Sequence, residues 1–109
     1  MTEIEEITTT LINFRNERDW EQFHNSKDLA VAISVEANEL LEAFLWKKPE
    51  DVKDEKIKEE LADIFAFAFL LAQKHGFNVK EMVLEKIKSN AEKYPVDKAK
   101  GTAKKYTEL

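Results

Sequence analysis

The chain is predicted to be all-α, and three observations carry the prediction. Two glycines and two prolines interrupt 109 residues that are otherwise rich in Glu, Lys, Leu and Ala, which are good helix formers. Apolar residues recur at spacings of three and four rather than alternating. Start and stop residues stand at the ends of the periodic stretches. The expected architecture is one domain, a four-helix bundle over residues 1–95 followed by a basic tail over 96–109.

Thr2 with Glu5 forms the pattern of a capping box, and Ile4, Ile7, Leu11 and Phe14 give helix one a single apolar stripe to about Arg18. Asp19 to Asn25 breaks the period and holds Trp20, Phe23 and His24, the composition of a packed turn. Ser26 is the expected N-cap of helix two, roughly Lys27 to Lys47, which ends before Pro49 because proline disfavours helical geometry in its predecessor. Helix three runs from near Asp54 to Gly76, a glycine suited to the left-handed stop. Asn78 and Glu81 open helix four, Val79, Met82, Val83 and Ile87 form its apolar side, and Pro95 closes it. The remaining residues have no periodic core face and are expected to be extended or irregular.

Composition removes several classes of function. With no cysteine there is no disulfide, thiol nucleophile or thiolate metal site. The net charge of −5 opposes the coating of a nucleic-acid polymer, which depends on neutralised phosphates. The longest apolar run, Ile64 to Ala72, is about half of what a membrane-spanning helix needs. The N-terminal Met1-Thr2-Glu3-Ile4-Glu5-Glu6 lacks the basic and apolar regions of a signal peptide, so a cytoplasmic protein is expected. From Lys93 onward five lysines face only Asp97 and Glu108, a basic end that suits a small phosphorylated ligand.

The stretch from Ile33 to Leu71 places carboxylates where helices should carry apolar groups. Glu36 falls in the stripe of Leu29, Ala32, Ile33, Leu40, Ala43 and Phe44, with Glu39 on its flank. Glu60 and Asp63 repeat the spacing of three on a face shared with Ile64, Phe67, Leu70 and Leu71. A buried ionised carboxylate without a partner costs several kcal/mol, so a cation is expected among the four, and ligation by oxygen alone suits Mg²⁺. The plain alternative is a set of surface acids; it accounts for Glu42, Glu50, Asp51, Glu55 and Glu59 but not for Glu36 or Asp63. A di-iron or di-manganese bundle would need Glu-x-x-His pairs, which these acids do not form. A helical interaction module without catalysis, its acids only solubilising, is the competing function.

Glu36-Ala37-Asn38-Glu39, twenty residues, then Glu60-Leu61-Ala62-Asp63 resembles the E-x-x-E, E-x-x-D signature of the MazG-like all-α nucleotide pyrophosphohydrolases. The flanking Arg18-Asp19-Trp20-Glu21-Gln22-Phe23-His24, Trp46-Lys47, Asn90, Lys93-Tyr94-Pro95 and Lys104-Lys105-Tyr106-Thr107-Glu108-Leu109 resemble the dCTP pyrophosphatase branch over nearly the whole chain. The resemblance implies a Mg²⁺-dependent enzyme that cuts dCTP-like nucleoside triphosphates, base-modified ones included, between the α and β phosphates, with Glu36, Glu39, Glu60 and Asp63 as metal ligands and catalytic acids. It also implies a homo-oligomer, a tetramer built from dimers. A helix three that is apolar all round in its second half agrees, since a small monomer cannot cover it.

Beside such a site Lys86, Asn90 and Lys93, which share one face of helix four, become candidate phosphate contacts rather than a merely solvated face; Tyr94, Lys104, Lys105 and Tyr106 extend the set, with a tail that orders when ligand binds. Trp20 and Trp46 match aromatic positions that enclose the base. Phe67 lies on the metal-side face, where the branch has Tyr, so a hydroxyl is missing. His24 is first of all a packed structural histidine and second a ligand contact; Glu42, one turn beyond Glu39, is a possible helper. His75, at a helix end, is assigned no chemistry.

Overall fold

The computed structural model describes residues 1–109, and all of its regular secondary structure is helical. Its long helices are α1 (Glu3–Glu17), α2 (Ser26–Phe44), α3 (Asp54–Lys74) and α4 (Val79–Lys93), followed by a single turn, α5 (Val96–Ala99). The chain divides into two compact units, Met1–Phe77 and Asn78–Leu109. No helix is long and apolar enough to cross a membrane.

In the first unit α3 is the hub, packed along α2 and less extensively against α1. Its buried residues include Leu70 and Ala72, with Leu29 of α2 the most deeply enclosed side chain. The capping box of α1 forms as expected: the Thr2 hydroxyl accepts from the Glu5 amide at 3.1 Å, and the Glu5 carboxylate accepts from the Thr2 amide at 2.9 Å. The inward face of α1 differs from the expected stripe. Arg15 is buried at 8% exposure, whereas Ile7 and Phe14 are exposed. Arg15 is anchored by Asn16, which accepts from its Nε at 3.1 Å, and by Glu21 at 3.7 Å. Phe14 meets Trp20 edge-on instead, under the Arg18 guanidinium.

The N-cap of α2 is Asn25, one residue before the expected Ser26, because the Asn25 side-chain oxygen Oδ1 accepts from the Asp28 amide at 2.8 Å. Ser26 is thereby released to bond His75 Nε2 at 2.8 Å, joining the start of α2 to the end of α3. The two helices therefore run antiparallel. At its other end α2 stops at Phe44, three residues short of Lys47: Leu45 is extended and Trp46 takes a left-handed φ of 63°, which no helix tolerates. Pro49 then opens a short turn, Pro49–Asp51. The stop of α3 is as anticipated. Gly76 at φ 68° lets its amide reach the Gln73 carbonyl (3.0 Å) and the Phe77 amide reach Ala72 (2.9 Å), satisfying carbonyls the helix leaves open.

In the second unit Asn78 caps α4 by accepting from the Glu81 amide at 3.0 Å. The tail is more structured than its composition suggests. Pro95 starts the α5 turn, and Tyr106, in a closing turn Tyr106–Glu108, lies edge-on to Tyr94 with centroids 6.0 Å apart and 5.0 Å from the Lys93 ammonium. These aromatic and cation–π contacts tie the end of the chain back to the end of α4.

Candidate metal and nucleotide site

The antiparallel pairing of α2 and α3 brings together acids far apart in sequence. One carboxylate oxygen each from Glu36, Glu60 and Asp63 lies within 4.8 Å of the other two. Glu60 is only 4% exposed, Glu36 is half-buried and Asp63 is open to solvent. Oε2 of Glu36 and Oε2 of Glu60 are buried with no hydrogen-bond donor, a condition that costs free energy unless a cation or proton intervenes. At Glu36 a proton is favoured: burial, a hydrogen bond with Glu39 and the negative charges of Glu39, Asp63 and Glu60 push its carboxyl from 4.5 up to about 7.

Of the four expected acids three converge, and Glu39 stands beside Glu36 on the exposed edge. Glu42 is turned to another task, accepting from Asn38 Nδ2 at 3.0 Å. The donor set is all carboxylate, two of its oxygens are orphaned, and the opening is on the solvent side through Asp63. These features fit a small, hard divalent cation and not a soft metal that prefers nitrogen or sulfur. Lys56 was not anticipated as a member of the site. Its ammonium lies 2.8 Å from Glu60 Oε1, and the only sequence signal was its place one helical turn before Glu60.

The aromatic candidates divide. His24 and Phe67 meet edge-on, with ring centroids 6.4 Å apart. Burial, then the positive charges of Arg15 and Lys74, lower the pKa of His24, whose Nδ1 is buried without a partner; the ring is held neutral near Asp63's helix. Trp20 packs on Phe14 and Arg18. Trp46 is 99% exposed at its strained φ and touches no other ring. In the second unit Asn90 and Tyr94 are half-buried, while Lys86, Lys93, Lys104, Lys105 and Tyr106 are exposed.

Residues 31–109 match the model of the MazG-like family. Over 97% of its length the chain is 36% identical to dCTP pyrophosphatase 1 of Bos taurus, covering 68% of that protein, and 33% identical to the same-named protein of Homo sapiens, covering 67%. Among solved structures, a pyrophosphatase from Archaeoglobus fulgidus DSM 4304 superposes with a TM-score of 0.81 at 34% identity, over 87% of this chain and 94% of that one. The chain belongs to the MazG-like family. It is a nucleotide pyrophosphohydrolase, so the non-catalytic interaction module is set aside.

Proposed function

We propose that the chain hydrolyses dCTP-like nucleoside triphosphates, base-modified ones included, between the α and β phosphates in a Mg²⁺-dependent reaction, releasing the monophosphate and pyrophosphate. The observation that carries the metal reading is the convergence of Glu36, Glu60 and Asp63 with two buried oxygens lacking a donor. Those three and Glu39 would hold Mg²⁺. The ion, when bound, would neutralise charge on the phosphates and make a water more acidic.

The chain's own groups do the rest. Buried walls around Glu36 and Glu60 strengthen every charge interaction there. Phe67 and His24, set edge to face, offer uncharged ring faces against either of which a base can lie, and Trp20 and Trp46 are the further stacking candidates; a stacked base is worth about 1–3 kcal/mol whichever base it is. For phosphate contacts we propose Asn90, Lys93 and Lys86, with Tyr94, Lys104, Lys105 and Tyr106 of the basic 96–109 tail. Support is the shared face of the α4 residues and the family resemblance. We further propose a homo-oligomer, dimer or tetramer, acting in the cytoplasm without a nucleic-acid polymer or membrane as partner.

The test is pyrophosphate release from a panel of deoxy- and ribonucleoside triphosphates, with Mg²⁺ and with chelator. Turnover of dCTP or its base-modified forms above the others, abolished by chelation, is expected. Equal turnover with chelator present would remove the metal from the reading, and preference for a purine would remove the substrate class.

A further inference from the structure

We propose that Lys56 is a resident counter-cation of the acidic cluster, occupying Glu60 in the metal-free protein and yielding it when a divalent ion enters. This rests on the metal reading above but assigns a new role to a residue outside the carboxylate set. The Lys56 ammonium sits 2.8 Å from Glu60 Oε1, while the other oxygen of the same carboxylate, Oε2, is buried with no donor. One oxygen of Glu60 is therefore paired with the ammonium and the other has no donor, so the single charge of the carboxylate is shared out to a partner that a divalent ion would have to displace.

Three features distinguish this contact from an ordinary surface pair. The partners are unequal: Glu60 has a side chain 6% exposed, whereas that of Lys56 is 50% exposed, so the lysine can leave for water without disturbing the packing and the glutamate cannot. The order along the helix is Lys before Glu, the weaker arrangement of an i, i+4 pair, so helix stability alone does not explain it. Besides Glu60, Lys56 feels the negative charges of Glu59 on its own helix and of Glu39 on α2. It therefore stands on the acidic side of the helix pair. A mobile cation at the edge of an acidic cluster competes with any ion that binds there, and loss of a competitor tightens the winner.

The experiment titrates Mn²⁺, as an electron-spin-resonant substitute for Mg²⁺, into nucleotide-free protein and follows free Mn²⁺, with melting curves in parallel. Wild-type protein is compared with Lys56→Met and Lys56→Arg. Lys56→Met is expected to bind Mn²⁺ about fivefold more tightly, the equivalent of losing a competing pair of this exposure. It should also melt lower without metal and recover on adding it, while Lys56→Arg stays close to wild type. Equal affinity in Lys56→Met, or weaker affinity, would overturn the exchange role, the second result marking Lys56 as a group that positions Glu60 for the metal. A wild-type protein that binds no Mn²⁺ at all would instead overturn the metal reading itself.

Discussion

Helix α3 carries two faces that are both unfinished in a single chain, and they are unfinished in different ways. On one face Glu60 and Asp63 meet Glu36 and leave buried oxygens without donors. On another, Ala62, Phe65, Ala66 and Phe69 join Ile7 and Leu11 of α1 around an open apolar groove of about 440 Å³. Phe65 there is 54% exposed and stacked on Phe69 at 5.9 Å. The first face lacks positive charge, the second lacks cover. A deficit of charge should respond to ions and pH, whereas a deficit of cover should respond to protein concentration, because hydrophobic association is proportional to the apolar area it removes from water. One helix can therefore be perturbed on either side with separable consequences.

The largest effect is expected on the acidic face. Glu36→Gln and Asp63→Asn keep the shape of the side chain and remove its charge, and each should lower pyrophosphate release by at least about 100-fold, the scale at which a group stabilising transition-state charge acts. Far-ultraviolet circular dichroism should stay helical. Near wild-type turnover in both variants would take the site away from this face.

The corresponding change in the groove is Phe65→Glu. A charge placed among Ile7, Leu11 and Phe69 would be driven to water, so light scattering should show the molar mass falling toward that of one chain if copies associate through this groove. Divalent-ion binding by the carboxylates should be unchanged. A variant that keeps the wild-type mass would move the self-association surface elsewhere.

A smaller effect separates the faces by pH. With its carboxyl pushed from 4.5 to about 7, Glu36 binds more protons in the folded than in the unfolded state between those values. Its contribution to metal-free stability therefore falls as pH rises through that window, the penalty being complete above about 7 and absent below 4.5. His24 has the opposite sign: its lowered pKa means that stability is lost as pH falls below 6.5. The difference between wild-type and Glu36→Gln melting temperatures isolates the first term. It should grow with pH in the absence of divalent ions and shrink when Mg²⁺ is added; a pH-independent difference would show that Glu36 is not held in this environment.

The acidic face was readable in the sequence and much of the rest was not, for definite reasons. Glu36 and Asp63 interrupt apolar stripes at helical spacing, a local pattern that survives into the fold. The stop at Gly76 was legible because only the chain's own carbonyls are involved. Lys56 was hidden because its role depends on Glu60 being buried, and burial is set by α2, not by the i, i+4 spacing that many lysines share. The face of α1 was misjudged because Arg15, charged and long, is buried through Asn16 and Glu21 while Phe14 is taken up by Trp20 and Arg18. The return of the tail onto the end of α4 was invisible because the Tyr94–Tyr106 contact spans residues that no periodic pattern connects.

The smallest effect tests the scaffold that carries both faces. The Ser26 hydroxyl and His75 Nε2, 2.8 Å apart, tie the start of α2 to the end of α3. Glu36 lies ten residues along α2 from that tie, about 15 Å at the helical rise, so removing it should alter neither the acids nor the groove. Ser26→Ala leaves a partly exposed imidazole free to bond water, and the loss should be about 0.5–1 kcal/mol, the net value of one such hydrogen bond, or a fall of about 2–5 °C in melting temperature. Turnover and molar mass should be those of the wild type. A fall in turnover larger than the stability loss would mean that the register of α2 on α3, and with it the convergence of Glu36 on Glu60 and Asp63, depends on this one contact at the end of the helix pair.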